Sequence, residues 1–157
     1  MPSSPSQLSR MYASIVEERL GLIATVDAED DVVFKYPELG TVVISVQAER
    51  DPEVLHVAFP NFLAPAEIGL DEAIFLDAIN RVNAQAKGAK VYLSPTRGRA
   101  CVSVEAVLAA SDEVPERELV AAVLGRMMSM LTHAVRLLVK TCGESAQAGR
   151  ERKMAMN

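Results

Sequence analysis

Residues 78–93, "AINRVNAQAKGAKVYL", mark a change from a helix to a strand. Apolar residues in the first half recur at helical spacing, Gly88 can end the helix in a left-handed conformation, and KVYL is typical of a strand. Asparagine is a poor helix former because its short amide competes for nearby backbone groups. Asn80 and Asn83, which lie in one helical turn, therefore need a reason other than helix propensity.

The two asparagines project to different positions on this helix. The residues that define its predicted buried face are Phe75, Leu76, Ile79, Val82 and Ala86. Asn83 falls inside that arc and Asn80 at its border. Since an amide packed against a core must find hydrogen-bond partners or cost about 1–3 kcal/mol, we predict that Asn83 is a structural pin to an adjoining strand end or loop. A ligand or partner contact is the alternative.

The apolar pattern outside this stretch alternates between helical and strand periods. Ser6 is a predicted N-cap for a helix that ends at Gly21. Four strands, GLIATVD, DVVFKY, GTVVISVQ and EVLHVAF, and the loop PNFLAPAEIG then precede the middle helix. KVYLS and RACVSVEAVL form a predicted hairpin, and a last helix begins near SDEVPEREL and ends at about Lys140. This order of helix, antiparallel β-meander, helix, β-hairpin and long C-terminal helix indicates an α+β fold with the helices packed on one face of the sheet.

The chain of 157 residues, 50% of them hydrophobic, has the size of a single domain with its own core. We predict a disordered N-terminus at residues 1–5 and one α+β domain at residues 6–140. Residues 141–157 are polar, contain glycine and lack a period, so they are predicted to be a flexible C-terminal tail.

Charge and cysteine usage limit the possible partners and the compartment. A net charge of −5 and a pI near 5.1 argue against nucleic acid, because sequence-independent binding requires many basic residues. Cys101 and Cys142 lie far apart without ligand-like spacing, which favours free thiols in a reducing compartment such as the cytoplasm. The chain has no signal-peptide pattern and no apolar run approaching about 18 residues, so no membrane association is predicted.

Few residues are arranged for catalysis, and we predict no catalytic, cofactor-binding or metal-binding site. His56 and His133 each lack a second ligand at helical or strand spacing. Asp30 and Asp31 are adjacent carboxylates in a turn, which are typically solvated. Cys101 has no evident base beside it, and the chain has no phosphate-binding glycine motif. The sequence therefore favours a protein that is not an enzyme.

The last helix is apolar over an unusually wide arc. Projected at about 100° per residue, its apolar residues cover about 200° of the circumference, whereas a helix on one sheet needs only somewhat more than about 100°. The excess requires either deeper burial within one chain or a second chain. We predict a homodimer or partner surface here. Its candidate residues are Leu119, Met127, Met128, Met130, Leu137 and Val139.

The sequence resembles the YbjN-like proteins, bacterial sensory transduction regulators whose fold is similar to that of the type III secretion chaperones. The resemblance covers residues 8–140 and rests on "TVDAEDDVVFKY", "TVVISV", "VLHVAF" and the asparagine-containing stretch at residues 78–93. It implies a small cytoplasmic bacterial homodimer that is not an enzyme. Its implied role is chaperone-like or regulatory, with a protein or peptide partner held in extended form along apolar grooves.

Two alternatives stay open from the sequence. One is a dedicated type III secretion chaperone for an effector, although no residue identifies a client. The other is a small-molecule sensor with a pocket between sheet and helix, for which the candidate polar groups are Asn83, His56 and Tyr92.

Overall fold

One antiparallel sheet of six strands, in the order β1-β2-β3-β4-β6-β5, organises the computed structural model, which describes residues 4–157. The strands are β1 (Ala24–Val26), β2 (Val32–Tyr36), β3 (Gly40–Ser45), β4 (Val54–Leu63), β5 (Ala89–Leu93) and β6 (Ala100–Val107). The first four form a meander, and the β5–β6 hairpin joins it through β6 and β4. The predicted α+β order is confirmed. Residues 1–3 of the predicted disordered N-terminus lie outside the described residues.

Three helices accompany the sheet. They are α1 (Gln7–Ile15), which continues as a π-helical turn at Val16–Leu20, α2 (Glu72–Gln85) and α3 (Arg117–Ala155); a 3-10 turn occupies Pro65–Ile68. Ser6 is the N-cap of α1, as predicted, because its hydroxyl accepts a hydrogen bond of 3.1 Å from the Ser9 amide. Gly21 ends the π-helical turn with φ 66°, a left-handed conformation that favours glycine.

A single core lies between the helices and one face of the sheet. In β2, Val32 and Phe34 are buried whereas Lys35 is exposed, which is the alternation expected of a sheet covered on one side. The long helix α3 packs across β4, β5 and β6 and against α2. The largest fully buried side chains are Tyr12, Ile15, Val16, Val32, Val42, Ile44, Leu55, Phe75, Leu124, Met128, Leu131 and Leu138. Burial of each such side chain stabilises the fold by about 1.5–3 kcal/mol.

The adjacent carboxylates of Asp30 and Asp31 connect the β1–β2 turn to two neighbouring elements. Asp30 accepts hydrogen bonds from the Ser6 amide at 2.9 Å and the Ser9 hydroxyl at 2.7 Å. Asp31 accepts one from the Val46 amide at 2.8 Å. These two aspartates therefore attach the start of α1 and the end of β3 to the turn and have a structural role.

Tyr12 has a buried hydroxyl that finds no hydrogen-bond partner among residues 4–157, and burial raises its pKa to about 12. The unfolded chain releases this proton near pH 10 and the folded chain only near pH 12. The contribution of Tyr12 to the free energy of unfolding is therefore fully present below pH 10 and is lost as the pH rises through this window. Urea unfolding of wild type and Tyr12→Phe across this range is expected to show a steeper alkaline loss for wild type. At neutral pH the variant is expected to be at least as stable, since it no longer buries an unpaired hydroxyl. Parallel curves for the two proteins would contradict this prediction.

The predicted loop after β4 is partly strand. β4 continues to Leu63 through a bulge between Phe59 and Leu63, with Asn61 at φ 52°. The Asn61 carbonyl accepts a hydrogen bond of 2.8 Å from the Arg99 Nε, and its amide donates one of 3.3 Å to the Cys101 Sγ. The side chains of Arg99, just before β6, and Cys101, in β6, therefore form hydrogen bonds with backbone groups of Asn61 in the bulge.

The predicted end of the last helix near Lys140 is wrong, because α3 continues to Ala155. Thr141 and Cys142 are buried against the rest of the fold. Further along, the Ser145 hydroxyl accepts a hydrogen bond of 2.9 Å from Arg81 of α2. Residues 141–155, part of the predicted flexible tail, thus continue the helix, and Thr141, Cys142 and Ser145 connect its beginning to the rest of the fold.

The same helix contains an 18-residue window with a mean hydropathy of 1.3, so its length and composition alone are compatible with a membrane span. Core helices of soluble proteins meet the same criterion. Leu124, Leu131 and Leu138 of α3 are fully buried in the core, and 44% of the window is buried within the fold.

Candidate partner-binding surfaces

The side of the sheet opposite the core forms a mixed apolar and polar surface, here called the open sheet face. Its central residues are Val33, Val43, His56, Ala58, Ser103 and Glu105. Strand register aligns Val33, Val43, Ala58 and Ser103 in one row across four strands. The three apolar members of this row are only half-buried. The open sheet face therefore presents apolar surface that the helices do not cover.

Two polar atoms on the open sheet face lack hydrogen bonds. The Ser103 Oγ and the His56 Nε2 are both buried and have no hydrogen-bond partner within the described chain. The His56 Nε2 lies 3.7 Å from the Glu105 Oε1, which is too long for a hydrogen bond, while the Lys90 Nζ lies 3.3 Å from the same oxygen. An unsatisfied buried polar atom costs about 1–3 kcal/mol, and both atoms are covered by neighbouring side chains, so the accessible polar groups on this face are those of Lys90 and Glu105.

Cys101 and Tyr92 lie opposite each other at one end of the open sheet face. Burial, together with the neighbouring Cys101, raises the pKa of the Tyr92 hydroxyl. The Cys101 thiol is only 4% exposed and accepts the Asn61 amide hydrogen bond at the β4 bulge. Both Cys101 and Cys142 are free, as predicted, and both are buried.

Asn83 forms two hydrogen bonds to the edge strand β5. Its Nδ2 donates to the Val91 carbonyl and its Oδ1 accepts from the Val91 amide, both at 2.9 Å. The expectation that it packs against the core is wrong, because Asn83 is exposed and Ala78 takes the buried position, while Leu76 is 45% exposed. The side chain lies instead along the free edge of β5, where its amide takes the place of a neighbouring strand. Asn80 is exposed.

The candidate residues on α3 do not form one surface. Met127 and Met128 are 4% and 1% exposed and belong to the core, which corrects their predicted place on a partner surface. Val139 is 54% exposed and lines a cavity of about 340 Å³ beside Leu63 and Cys142, on the other side of the helix. The wide apolar arc of α3 is thus explained in part by deep burial within one chain.

The other three candidates, Leu119, Met130 and Leu137, share one line along α3 with Val123. These four residues are here called the α3 stripe. Leu119 is 41% exposed and the other three are half-buried. Val123 was absent from the predicted surface although the helical projection places it close to Leu119 and Met130. The α3 stripe is the part of the predicted dimer surface that the fold leaves accessible.

The proposed sensor residues do not line the cavity beside them. That cavity has a volume of about 190 Å³ and is lined by Gly88, Ala89, Lys90, Ser103 and Glu105, without Asn83, His56 or Tyr92. Ligand pockets are typically about 300–1,000 Å³. Within residues 4–157, no group of three or more His, Cys, Asp or Glu side chains is placed to hold a metal ion.

Sequence reasoning did not show that Ser103 lies on the open sheet face. The alternation in "ACVSVEAV" places Cys101, Ser103 and Glu105 on one face, but it does not say which face the helices cover. The pairing of β6 with both β4 and β5 decides that question, because the pleat assigns Val102 and Val104 to the core.

Comparison with known proteins gives one structural similarity. No family model and no curated protein matches this chain. A solved chain of the HopA1–SchA chaperone–effector complex is similar in fold, with a TM-score of 0.54 and 14% sequence identity over 85% of this chain and 96% of that chain. The YbjN-like assignment stays a prediction. The similarity confirms the type III secretion chaperone-like α+β fold.

Proposed function

We propose that this protein is a chaperone-like binding module, not an enzyme, that holds an extended segment of a protein or peptide partner against the open sheet face. The observation that carries this proposal is the row of half-buried apolar residues Val33, Val43 and Ala58, which the helices do not cover. The fold similarity to a chain of a chaperone–effector complex supports it. A net charge of −5 favours a protein partner over nucleic acid.

An extended segment suits this surface for a physical reason. Alternate side chains of a strand-like peptide point to one side, so its apolar side chains can cover Val33, Val43 and Ala58. Its backbone carbonyls can accept hydrogen bonds from Lys90 and its amides can donate to Glu105, both of which are exposed on the same face. The same contacts are available to many sequences, as a chaperone-like role requires.

A library of random linear peptides tests the proposal. Peptides selected on wild type are expected to bind Ala58→Arg at least about tenfold more weakly, because the arginine occupies the centre of the apolar row. Ala84→Arg is the matched control, since it introduces the same side chain at an exposed position of α2. Circular dichroism checks that both variants fold. Equal affinity for the two variants, or no peptide that binds wild type, would contradict the proposed function.

We further propose that the protein forms a homodimer and that the α3 stripe lies in the dimer interface. Leu119 leaves a large apolar side chain exposed beside the half-buried Val123 and Met130. A second copy of the chain can bury such a stripe, since a two-fold axis brings the same surface of both copies into contact. Sedimentation equilibrium of wild type is expected to give the mass of a dimer, and the mass of a monomer would contradict this part.

A more specific version is a cytoplasmic bacterial chaperone dedicated to one secreted effector, and a YbjN-like regulator is the corresponding family assignment. The chaperone version is favoured by the nature of the structurally similar chain, which comes from a chaperone–effector complex. It predicts that the tagged protein co-purifies from its native host with one stoichiometric client. Recovery without such a client would contradict the dedicated version and leave the peptide-binding test unaffected.

A further inference from the structure

A cavity between the end of α2 and the middle of α3 is basic in an otherwise acidic protein. Its volume is about 360 Å³, and its lining consists of Gln85, Lys87, Arg126, Ser129, Met130 and His133. The lining contains no carboxylate. Within residues 4–157, none of Lys87, Arg126 and His133 forms an ion pair or a side-chain hydrogen bond. This site is here called the basic cavity.

Other arginines of α3, on either side of the basic cavity, do form ion pairs. Arg117 pairs with Glu18 at 2.6 Å, and Arg136 pairs with Glu38 at 2.5 Å. Acids elsewhere in the fold thus reach both ends of this part of α3. The basic cavity lies between these pairs and receives no acid of its own chain, so its charge is available to another molecule.

Three acids lie immediately before the same helix, in residues 112–116. Asp112, Glu113 and Glu116 are exposed, and their carboxylates form no ion pair among the described residues. This acidic segment carries three acids and the basic cavity three basic side chains. One molecule therefore contains both halves of a complementary contact, although its own fold does not bring them together.

The spacing along α3 suits a contact between two copies. Leu119, Val123, Arg126 and Met130 lie within an arc of about 60° on one side of the helix. The start of α3 and the basic cavity are separated by about 13 residues, or about 20 Å of helix. The exposed part of the α3 stripe lies between them. An antiparallel pairing of two α3 helices can therefore join acid to base at both ends of an apolar centre.

We propose that the basic cavity is occupied by the acidic segment of a second copy of this chain. The proposal rests on the homodimer of the proposed function and specifies its register. A two-fold axis midway between Leu119 and Val123 places Glu116 of each copy beside Arg126 of the other and Asp112 toward His133. Leu119 and Val123 of the two copies then cover each other, and each charged contact occurs twice.

Charge complementarity decides the register of this dimer. Partly exposed ion pairs add little affinity individually, so the apolar centre supplies most of the attraction. Like charges placed opposite each other are strongly unfavourable, however, and so exclude other registers. A parallel arrangement would bring the two acidic segments together and leave both basic cavities unpaired. The antiparallel arrangement separates the two acidic segments and gives each basic cavity an acidic partner.

Sedimentation of four full-length proteins and one control tests this register. Arg126→Glu and Glu116→Arg are each expected to weaken dimerisation at least about tenfold, because each places like charges opposite each other twice per dimer. The double variant, R126E with E116R, is expected to return close to the wild-type dissociation constant, since the pair is restored with its signs exchanged. Arg150→Glu makes the same charge change at an exposed position on the other side of α3 and is expected to leave dimerisation unchanged.

The outcomes separate the register from the dimer itself. Dimeric wild type with no effect of either single substitution, or no recovery in the double variant, overturns the proposed register and leaves the homodimer standing. Monomeric wild type overturns both. All substituted positions are exposed, and thermal unfolding of each variant confirms that a change in mass reflects association and not loss of the fold.

Discussion

Replacing Met128 with alanine is expected to lower the free energy of unfolding by about 3 kcal/mol. The side chain is 1% exposed and belongs to the one core between α3 and the sheet, so truncation leaves a cavity that neighbouring residues fill only in part. Urea denaturation followed by circular dichroism measures this loss. The prediction opposes the sequence-based expectation, in which Met128 lay on a partner surface and its truncation affected association.

Leu119→Ala is the matched control for Met128→Ala, because it truncates a side chain of the same helix that is 41% exposed. We expect a loss of less than about 1 kcal/mol in a monomeric sample, since little apolar surface leaves water at this position on folding. Both proteins are measured at low concentration so that association does not contribute to stability. Equal losses for the two variants would contradict the assignment of Met128 to the core.

Replacing Asn83 with alanine is expected to destabilise the fold by about 2 kcal/mol. The substitution removes both 2.9 Å hydrogen bonds to Val91 and leaves the amide and the carbonyl of the β5 edge unpaired. Faster hydrogen exchange of the Val91 amide is expected in the same variant, because its acceptor is lost. This experiment tests the predicted role of Asn83 as a structural pin.

Asn80→Ala is the control for Asn83→Ala, since it changes the same residue type in the same turn of α2. Asn80 is exposed and its side chain forms no hydrogen bond within residues 4–157, so its replacement is expected to change stability by less than about 0.5 kcal/mol. Asn83→Asp adds a finer test, because it keeps the acceptor for the Val91 amide but loses the donor to the carbonyl. An Asn83→Ala effect no larger than that of Asn80→Ala would argue against the pin.

Much of the fold was predictable because its signals are local. Alternating apolar residues identified six strands, and caps such as Ser6 and Gly21 identified helix ends within a residue or two. These features depend on side-chain periodicity and on backbone conformations that a few residues favour. The order of elements then indicated the α+β class, which the structural comparison confirms.

The predicted surfaces were less accurate because exposure depends on elements that are distant in sequence. A helical projection identifies an apolar arc, but it does not say how much of that arc the sheet covers. Met127 and Met128 are buried because α3 packs across three strands and against α2, whereas Leu119 near its start is left partly exposed. The continuation of α3 past Lys140 likewise depends on contacts such as that between Arg81 and Ser145.

The sequence by itself determined the elements, their order and the presence of an amide that must bind backbone near the start of β5. Only the tertiary structure decided that Asn83 lies along the edge strand, that the row from Val33 to Ser103 is left uncovered, and that Lys87, Arg126 and His133 meet in one cavity. The physical reason is the range of the interactions. Periodicity and capping act within a few residues, whereas burial and charge pairing join residues that the chain brings together only when the helices pack on the sheet.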